Sequence, residues 1–234
     1  MMQPIRGLVF DKDGTLFDFN ATWAAWCDGF IQGIAAGEPD RAQALAEALG
    51  FDRTTRRFRK SSPMVAGTME IVVEAVRRLR PDLAEPGLRR HITASTAAAP
   101  QVEAAPLAAL LDRLLAAGLT LGVATNDSEE PARAHLARAG VLDRFAFVAG
   151  YDSGHGAKPM PGMLLAFCAA TGLPPEACAM IGDSTHDLDS GRAAGMRTVG
   201  VLTGLAGFDD LAPHADVVLP DIGALPAWLA LPDG

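Results

Sequence analysis

The chain has 234 residues, of which 49% are hydrophobic and 21% are charged. This composition is typical of a globular protein and excludes a disordered chain, and the length suffices for one domain with an insert. The formal net charge of −8 argues against a nucleic-acid partner, because contacts to a phosphate backbone need clustered lysine and arginine. No apolar run approaches the roughly 18 to 20 residues that cross a bilayer, so we expect no membrane partner.

The first residues, MMQPIRG, lead directly into an apolar run without a basic leader, which predicts a cytoplasmic location. The three cysteines, Cys27, Cys168 and Cys178, form neither an even set nor a CxxC pair. We therefore expect buried free thiols rather than disulfides or a zinc site. The sequence leaves the oligomeric state open between a monomer and a weak homodimer.

Strands and helices alternate along most of the chain. Apolar runs predict strands at residues 5–10, 119–124, 145–148, 177–181, 198–202 and 216–219. Helical spacing predicts helices at residues 107–115, 128–139, 161–171 and 185–194, with Ser128 as the N-cap of the second. This alternation is typical of a parallel sheet covered by helices on both faces. The sequence therefore predicts an α/β fold with a doubly wound, Rossmann-like parallel sheet.

The segment between the first strand and Leu107 breaks this alternation. Apolar residues fall on helical faces at residues 23–34, 42–49 and 69–79, the last opened by Thr68, and a fourth helix is expected from residue 85 to about residue 96. No strand is visible in this segment. We therefore predict an all-helical domain at residues 19–99, inserted into a core domain formed by residues 1–18 and 100–234.

Polar residues follow the strongest apolar runs at the points where those runs end. Asp11 and Asp13 follow the first run, Thr125 follows the second, and Asp183 follows the run at residues 177–181. Because the carboxyl ends of parallel strands lie along one edge of a sheet, we expect these side chains to meet in one cleft. Lys158, in the loop after a short strand, can reach the same cleft.

The chemistry of this set points to a phosphoryl group. Three carboxylates suit a hard cation such as Mg²⁺, whereas zinc prefers the histidine and cysteine ligands that are missing here. A lysine and a threonine hydroxyl beside such a cation match phosphoryl transfer, which depends on positioning and charge neutralisation. With Asp11 and Asp13 side by side, one carboxylate can attack phosphorus while the other handles a proton.

Four stretches in this order resemble the motifs of the haloacid dehalogenase-like phosphohydrolases. They are FDKDGTL around Asp11, VATND around Thr125, AKPMP around Lys158 and IGDSTHD around Asp183. The resemblance spans the whole chain, and an insert directly after the first motif is similar to the helical cap of the phosphoglycolate phosphatase-like branch. The resemblance thus implies that residues 19–99 form a cap that closes over the cleft, excludes water and contributes to substrate selection.

The resemblance also implies a role for each motif residue. Asp11 would be the nucleophile that forms an aspartyl-phosphate. Asp13 would protonate the leaving oxygen and then activate water. Thr125 and Lys158 would hold the phosphoryl oxygens, together with the backbone amide of Asn126.

The Mg²⁺ cofactor would be bound by the Asp11 carboxylate, the Asp13 backbone carbonyl and Asp183, with Asp187 acting in the second shell or through water. Since the dehalogenases of the family lack an acid at the place of Asp13, we expect no carbon–halogen hydrolysis.

The expected function is that of a magnesium-dependent phosphatase acting on a small phosphorylated metabolite, with phosphoglycolate as the first candidate substrate. Two alternatives stay open. A phosphomutase or pyrophosphatase would use the same chemistry, and a non-catalytic phosphate-binding regulatory module would use the same cleft without turnover.

Several nearby residues have a plainer interpretation. We expect His186 and His155 to be exposed histidines, Trp23 and Trp26 to pack in the core of the cap, and Lys12 to have little influence. The basic stretch at residues 53–60 is expected to be a solvated loop face, and the competing hypothesis is an electrostatic lure for an anionic substrate.

Overall fold

The computed structural model describes residues 4–66 and 69–232. In chain order the elements are β1 (Gly7–Phe10), α1 (Phe19–Ala35), α2 (Pro39–Ala48), β2 (Phe51–Asp52), β3 (Arg57–Phe58), α3 (Pro63–Ala66), α4 (Met69–Leu79), α5 (Glu85–Ala98), α6 (Leu107–Ala116), β4 (Thr120–Ala124), α7 (Glu129–Arg138), β5 (Phe147–Ala149), α8 (Gly162–Thr171), β6 (Cys178–Gly182), α9 (Thr185–Ala194), β7 (Arg197–Val201), α10 (Phe208–Leu211), β8 (Val217–Leu219) and α11 (Leu225–Trp228).

Six strands form one parallel sheet in the order β5-β4-β1-β6-β7-β8. All six predicted strands are present, with boundaries within two residues of those expected from the apolar runs. The chain builds outward from β1 to one edge and then returns to build outward to the other edge. This doubly wound topology confirms the predicted fold class, and β1 lies at the point where the winding direction changes.

The apolar runs form strands because each strand is buried on both faces of the sheet. Leu8 and Phe10 belong to the apolar cluster on one face, which is covered by α6, α7 and α11. Val9 points to the opposite cluster, beneath α8 and α9. Side chains alternate between the faces of a strand, so a strand covered on both sides needs an uninterrupted apolar run.

The segment from α1 to α5 packs around an apolar cluster of its own. The expectation of an all-helical insert was wrong in one detail, because β2 and β3 form a short antiparallel ribbon there. The Asp52 carboxylate accepts hydrogen bonds from the backbone of Thr54 and Thr55 and closes the turn, and the rings of Phe51 and Phe58 pack 4.9 Å apart. Two-residue strands are too short to leave a pattern in the sequence. The expected opening of α4 at Thr68 lies outside the described residues.

The two segments that join the insert to the sheet run side by side. The backbone N–H of Asp18 donates to the carbonyl of Val102 over 2.8 Å, and that of Ala104 donates to the carbonyl of Leu16 over 3.0 Å. The insert therefore leaves and returns at one place. The division into domains at residues 19–99 stays a prediction, which the separate apolar cluster of the insert supports.

Three smaller expectations can be compared with the structure. Ser128 does precede α7, but its side chain makes no capping hydrogen bond, and the Asp152 carboxylate accepts from the backbone N–H of Glu129 instead. The three cysteines are buried and free, as expected. Within the described ranges, no helix combines the length and the apolar character needed to cross a membrane.

Candidate active site

The predicted site residues converge where β4, β1 and β6 end side by side. Asp11, Thr125 and Asp183 follow these three strands directly, and at most 7% of the surface of each is exposed. Asp13, Asn126, Lys158 and Asp187 lie around the same cleft. The geometric part of the prediction therefore holds, while the role of each residue stays a prediction.

Lys158 is the positive centre of this cleft. Its Nζ atom lies 2.6 Å from Oδ1 of Asp11 and 2.6 Å from Oδ1 of Asp187. Burial by itself lowers the pKa of Lys158, but the two carboxylates outweigh it and raise the pKa above its ordinary value. Burial has the opposite effect on Asp11 and raises its pKa to about 7, although Lys158 opposes this shift. Additional positive charge near Asp11 favours its carboxylate form.

The residues after β4 hold the loop that carries Lys158. The Asn126 side chain accepts from the backbone N–H of Lys158 over 2.8 Å and donates to its carbonyl over 3.1 Å. The Thr125 hydroxyl oxygen accepts from the backbone N–H of Asp127 over 3.0 Å, which does not use the hydroxyl proton. Asn126 thus positions the lysine, a contribution of its side chain that the sequence did not indicate.

The carboxylates of Asp11, Asp183 and Asp187 fit a divalent cation. One oxygen from each lies within 4.8 Å of the others. Oδ2 of Asp183 is buried and has no hydrogen-bond partner in the part of the chain that the structure describes. An unpartnered buried oxygen is costly, and a metal ion would compensate it. This all-oxygen donor set suits Mg²⁺.

Two glycines make room for Asp183. A Cβ atom at Gly14 would lie 2.4 Å from Oδ2 of Asp183, and one at Gly204 would lie 1.7 Å from the same atom. Gly14 also has a φ angle of +83°, which favours glycine. Gly14 belongs to the first motif, whereas Gly204 lies in the loop after β7, where the sequence carries no signal for it.

Asp187 is occupied by protein groups. Its Oδ2 accepts from the Ser184 backbone N–H over 3.0 Å and from the Ser184 hydroxyl over 2.6 Å, while Oδ1 faces Lys158. Asp187 therefore caps the start of α9 and orients the lysine. Whether Asp187 acts on the metal directly or through water stays a prediction.

Lys12, to which the sequence analysis gave little weight, is completely buried. Its Nζ atom lies 2.7 Å from Oδ2 of Asp13, 3.1 Å from Nδ1 of His135 and 3.3 Å from Oδ2 of Asp127. An ammonium group has three N–H donors, and three acceptors surround this one. Burial lowers the pKa of Lys12, but the two carboxylates raise it to a net value above the ordinary one. Nothing in the sequence distinguishes this lysine from an exposed one.

The other oxygen of Asp13 is bound from the insert. The Trp23 Nε1–H donates to Oδ1 of Asp13 over 2.7 Å, and the Trp23 ring centre lies 5.3 Å from Nζ of Lys12. Trp23 does pack in the apolar cluster of the insert, as expected. It also contacts the acid, which an aromatic residue at helical spacing does not reveal.

His135, on α7, connects this charged group to the insert. Its Nε2 lies 2.7 Å from the carbonyl of Thr96, and a carbonyl only accepts, so Nε2 carries the proton and Nδ1 accepts from Lys12. Burial, aided by the charge of Lys12, lowers the pKa of His135 to about 4. The imidazole is therefore neutral near pH 7.

Between the sheet and the insert lies a cleft. The centres of water molecules can occupy about 90 Å³ of it, which is enough space for several waters or a small ester. Trp26 lines this cleft. The expectation that His186 is exposed was wrong, because α9 turns it toward the cleft, where it is partly buried. His155 is exposed, as expected.

The basic stretch at residues 53–60 covers the β2–β3 ribbon. Arg56, Arg57 and Arg59 are exposed, and none of them lines the cleft. Lys60 instead pairs with Asp210 over 2.5 Å on the surface. These positions agree with the expected solvated loop face.

A family model described as haloacid dehalogenase-like hydrolase matches residues 5–195. The chain belongs to this family. Among haloacid dehalogenase-like relatives, it is 30% identical to a phosphoglycolate phosphatase of Salmonella typhimurium, over 99% of this chain and 95% of that protein. It is 36% identical to a phosphoglycolate phosphatase of Rhodospirillum rubrum, in a match that covers 53% of this chain and 52% of the other.

The fold also resembles solved structures of the family. A crystal structure of a predicted phosphoglycolate phosphatase from Haemophilus somnus superimposes with a TM-score of 0.73, over 97% of this chain and 99% of that one, at 16% sequence identity. At this identity the match concerns the fold alone, and it covers the insert as well as the sheet.

Proposed function

We propose that this haloacid dehalogenase-like hydrolase is a magnesium-dependent phosphatase that cleaves a small phosphate ester through an aspartyl-phosphate on Asp11. The observation that carries the proposal is the position of Asp11. It lies at the switch point of the sheet, 2.6 Å from Lys158 and beside the oxygen cluster it forms with Asp183 and Asp187. A nucleophile, a fixed cation and a metal-binding carboxylate set thus surround one small volume.

The first step transfers the phosphoryl group to the protein. An Asp11 carboxylate oxygen forms a bond to phosphorus while the bond from phosphorus to the ester oxygen breaks, and Asp13 supplies the proton that the leaving oxygen needs. In the second step, water attacks phosphorus, Asp13 takes a proton from that water, and inorganic phosphate leaves with the Asp11 carboxylate restored. Lys12 and Trp23 hold the two oxygens of Asp13 for both steps.

The phosphoryl oxygens need positive charge and hydrogen-bond donors. Lys158 supplies a fixed ammonium group, and the Thr125 hydroxyl and the backbone amide of Asn126 are the proposed donors. Asp11 and Asp183, with the Asp13 backbone carbonyl, would hold Mg²⁺. When bound, the ion neutralises charge that develops on the phosphoryl oxygens.

Phosphoglycolate is the first substrate to test, because two relatives of this chain bear the name phosphoglycolate phosphatase. The cytoplasmic location, the lack of nucleic-acid and membrane partners, and the monomeric or weakly dimeric state stay predictions from the sequence.

The test is phosphate release from a panel of small phosphomonoesters, with and without Mg²⁺, by the wild type and Asp11→Asn. We expect release that depends on Mg²⁺ and falls by about four orders of magnitude in the variant, because no comparable nucleophile replaces the carboxylate. Asp143→Asn, the same change at an exposed position, serves as the control and should keep wild-type rates.

Three outcomes would contradict the proposal. An Asp11→Asn enzyme with wild-type rates would exclude the nucleophile. Transfer of phosphate to a second hydroxyl without release would indicate a mutase. A folded protein that binds Mg²⁺ and phosphate but releases nothing would indicate a binding module.

A further inference from the structure

The wall of the cleft that faces the phosphoryl site is apolar. The insert builds it from seven large side chains: Phe19, Trp23, Trp26, Met64, Met69, Val72 and Ile92. In the described ranges, no lysine or arginine of residues 19–99 lines the cleft. Residues 67 and 68 are a glycine and a threonine and bring no charge. Within this cleft, the part of a substrate that extends from phosphorus toward the insert meets this surface. Lys60 lines a neighbouring pocket, where it is paired with Asp210.

Trp23 and Trp26, two of these side chains, are held in place before a substrate arrives. The Trp26 ring stacks on Phe30 with a centroid distance of 4.9 Å and meets the edge of Trp23 at 5.7 Å. Its Nε1 atom is buried and has no hydrogen-bond partner among the described residues. The wall therefore offers a fixed aromatic surface. A rigid apolar surface binds a matching group at low conformational cost.

On the opposite wall, the positive charges are already paired with carboxylates. This wall carries four carboxylates, on Asp11, Asp13, Asp127 and Asp187, and the ammonium group of Lys158. The Asp183 carboxylate and the Lys12 ammonium lie directly behind it. Each ammonium already contacts at least two carboxylates. Among the lining residues, only the His186 imidazole could add another cation.

A second anion on the substrate would thus find no charged partner. A divalent cation offsets part of the excess of carboxylates, and the phosphoryl dianion adds negative charge of its own. An additional carboxylate placed against the apolar wall would lose its hydration without compensation. An apolar group in the same place gains from burial.

We propose that the preferred substrate is a phosphomonoester whose leaving group is uncharged and apolar, aromatic or branched aliphatic, rather than one that carries a second anion. The proposal rests on the phosphatase activity proposed above and names its substrate class. It runs against phosphoglycolate, whose leaving group bears a carboxylate.

The decisive comparison is kcat/KM for benzyl phosphate against phosphoglycolate, measured with Mg²⁺. Both are esters of primary alcohols, so intrinsic reactivity does not favour the aromatic compound. We expect a ratio above about ten, which is the discrimination that a hydrophobic pocket gives for small apolar differences. A lower ratio overturns the inference while the phosphatase activity stands.

Binding separates the two proposals further. Benzylphosphonate and phosphonoacetate have no ester bond to break, so calorimetry gives the same comparison without turnover. Tighter binding of benzylphosphonate, by about tenfold or more, is expected. If no ester is hydrolysed but this preference holds, only the catalytic proposal fails.

A charge placed in the wall should reverse the preference. Met69 is only partly buried at the start of α4, so a lysine there can extend its amine toward the cleft. Met69→Lys should lower the benzyl phosphate to phosphoglycolate ratio by about tenfold. Ala94→Lys makes the same charge change on another helix of the insert, α5, at an exposed residue outside this cleft, and should leave the ratio unchanged.

Equal effects of the two lysines would show that the wall does not select, and would overturn the inference. If Met69→Lys fails to fold, Met64→Lys provides the same test, since Met64 is also partly buried and lines the cleft.

Discussion

The two walls of the cleft differ in composition and in how they are built. The wall from the sheet consists of charged residues at strand ends, held by ion pairs and by backbone hydrogen bonds. The wall from the insert consists of apolar residues on helices, held by the packing of their own cluster. The two walls therefore have different roles. The sheet residues act on the phosphoryl group, and the insert residues select the group that is attached to phosphorus.

The two walls meet at Asp13. Lys12 holds one of its oxygens from the sheet side, and Trp23 holds the other from the insert. His135 adds a second connection, from Lys12 to the carbonyl of Thr96 in α5. A substitution in the sheet wall should therefore impair stability and rate together, whereas one in the insert wall should mainly change substrate preference.

After Asp11→Asn, the largest expected effect is that of Lys158→Met. The change leaves Asp11 and Asp187 buried without their cation, and it removes a fixed charge from the phosphoryl oxygens. We expect kcat/KM to fall by at least about 10³-fold, in the range seen for loss of a transition-state charge contact. Steady-state kinetics would measure this loss of kcat/KM, on protein whose folding is confirmed by circular dichroism. Lys60→Met, at an exposed ion pair, is the control, and a similar loss there would contradict the assignment.

Lys12→Met should be the most destabilising change near the site. It leaves Asp13 and Asp127 without their shared cation in a buried setting. Removing one partner of a buried ionic group costs about 3–5 kcal/mol, which denaturant titration of the free energy of unfolding would show. A loss below about 1 kcal/mol would mean that Lys12 behaves like a surface lysine.

The sequence predicts the sheet wall of the cleft better than the insert wall. The positions of Asp11, Thr125 and Asp183 follow from topology, because a parallel sheet brings its strand ends to one edge. Lys12 could not be predicted, since its contacts depend on where the loop after β4 and α7 place Asp127 and His135. Trp23 could not be predicted either, since its contact depends on how the insert packs against the sheet. Met69 and Val72 occur at a helical spacing that serves packing and substrate contact equally well, so the sequence does not reveal the apolar wall.

His135 gives a pH-dependent effect of intermediate size. Burial lowers its folded-state pKa to about 4, from an ordinary value of 6.5. Between these values the unfolded chain binds more protons than the folded one, so stability is lost as pH falls from about 6.5 toward 4. The expected contribution is roughly 2–3 kcal/mol.

Denaturant titrations at several pH values would measure this loss. His135→Gln should flatten the dependence in that range, while His155→Gln, at an exposed histidine, should not. An unchanged slope in His135→Gln would contradict the assignment.

The smallest effect is expected for Trp23→Phe, which keeps an aromatic ring but removes the donor to Oδ1 of Asp13. A hydrogen bond to a charged group contributes about 1.5–3 kcal/mol, so kcat should fall by about 10- to 160-fold. Single-turnover kinetics measure the change. Trp228→Phe, on α11 far along the chain, is the matched control, and an equal loss in both variants would show that the Asp13 contact is not responsible.

The central claim is that Asp11 carries the phosphoryl group, and the most direct measurement is to trap it. With an aryl ester, whose leaving group needs no added proton, Asp13→Asn should slow the attack of water more than the transfer to Asp11, because the base that takes a proton from water is missing. Acid quenching of this variant with a phosphate-labelled ester, followed by peptide mass spectrometry, should find the label on Asp11. Hydrolysis of the ester without any labelled protein would contradict the claim that Asp11 carries the phosphoryl group. A label on another residue would contradict it as well.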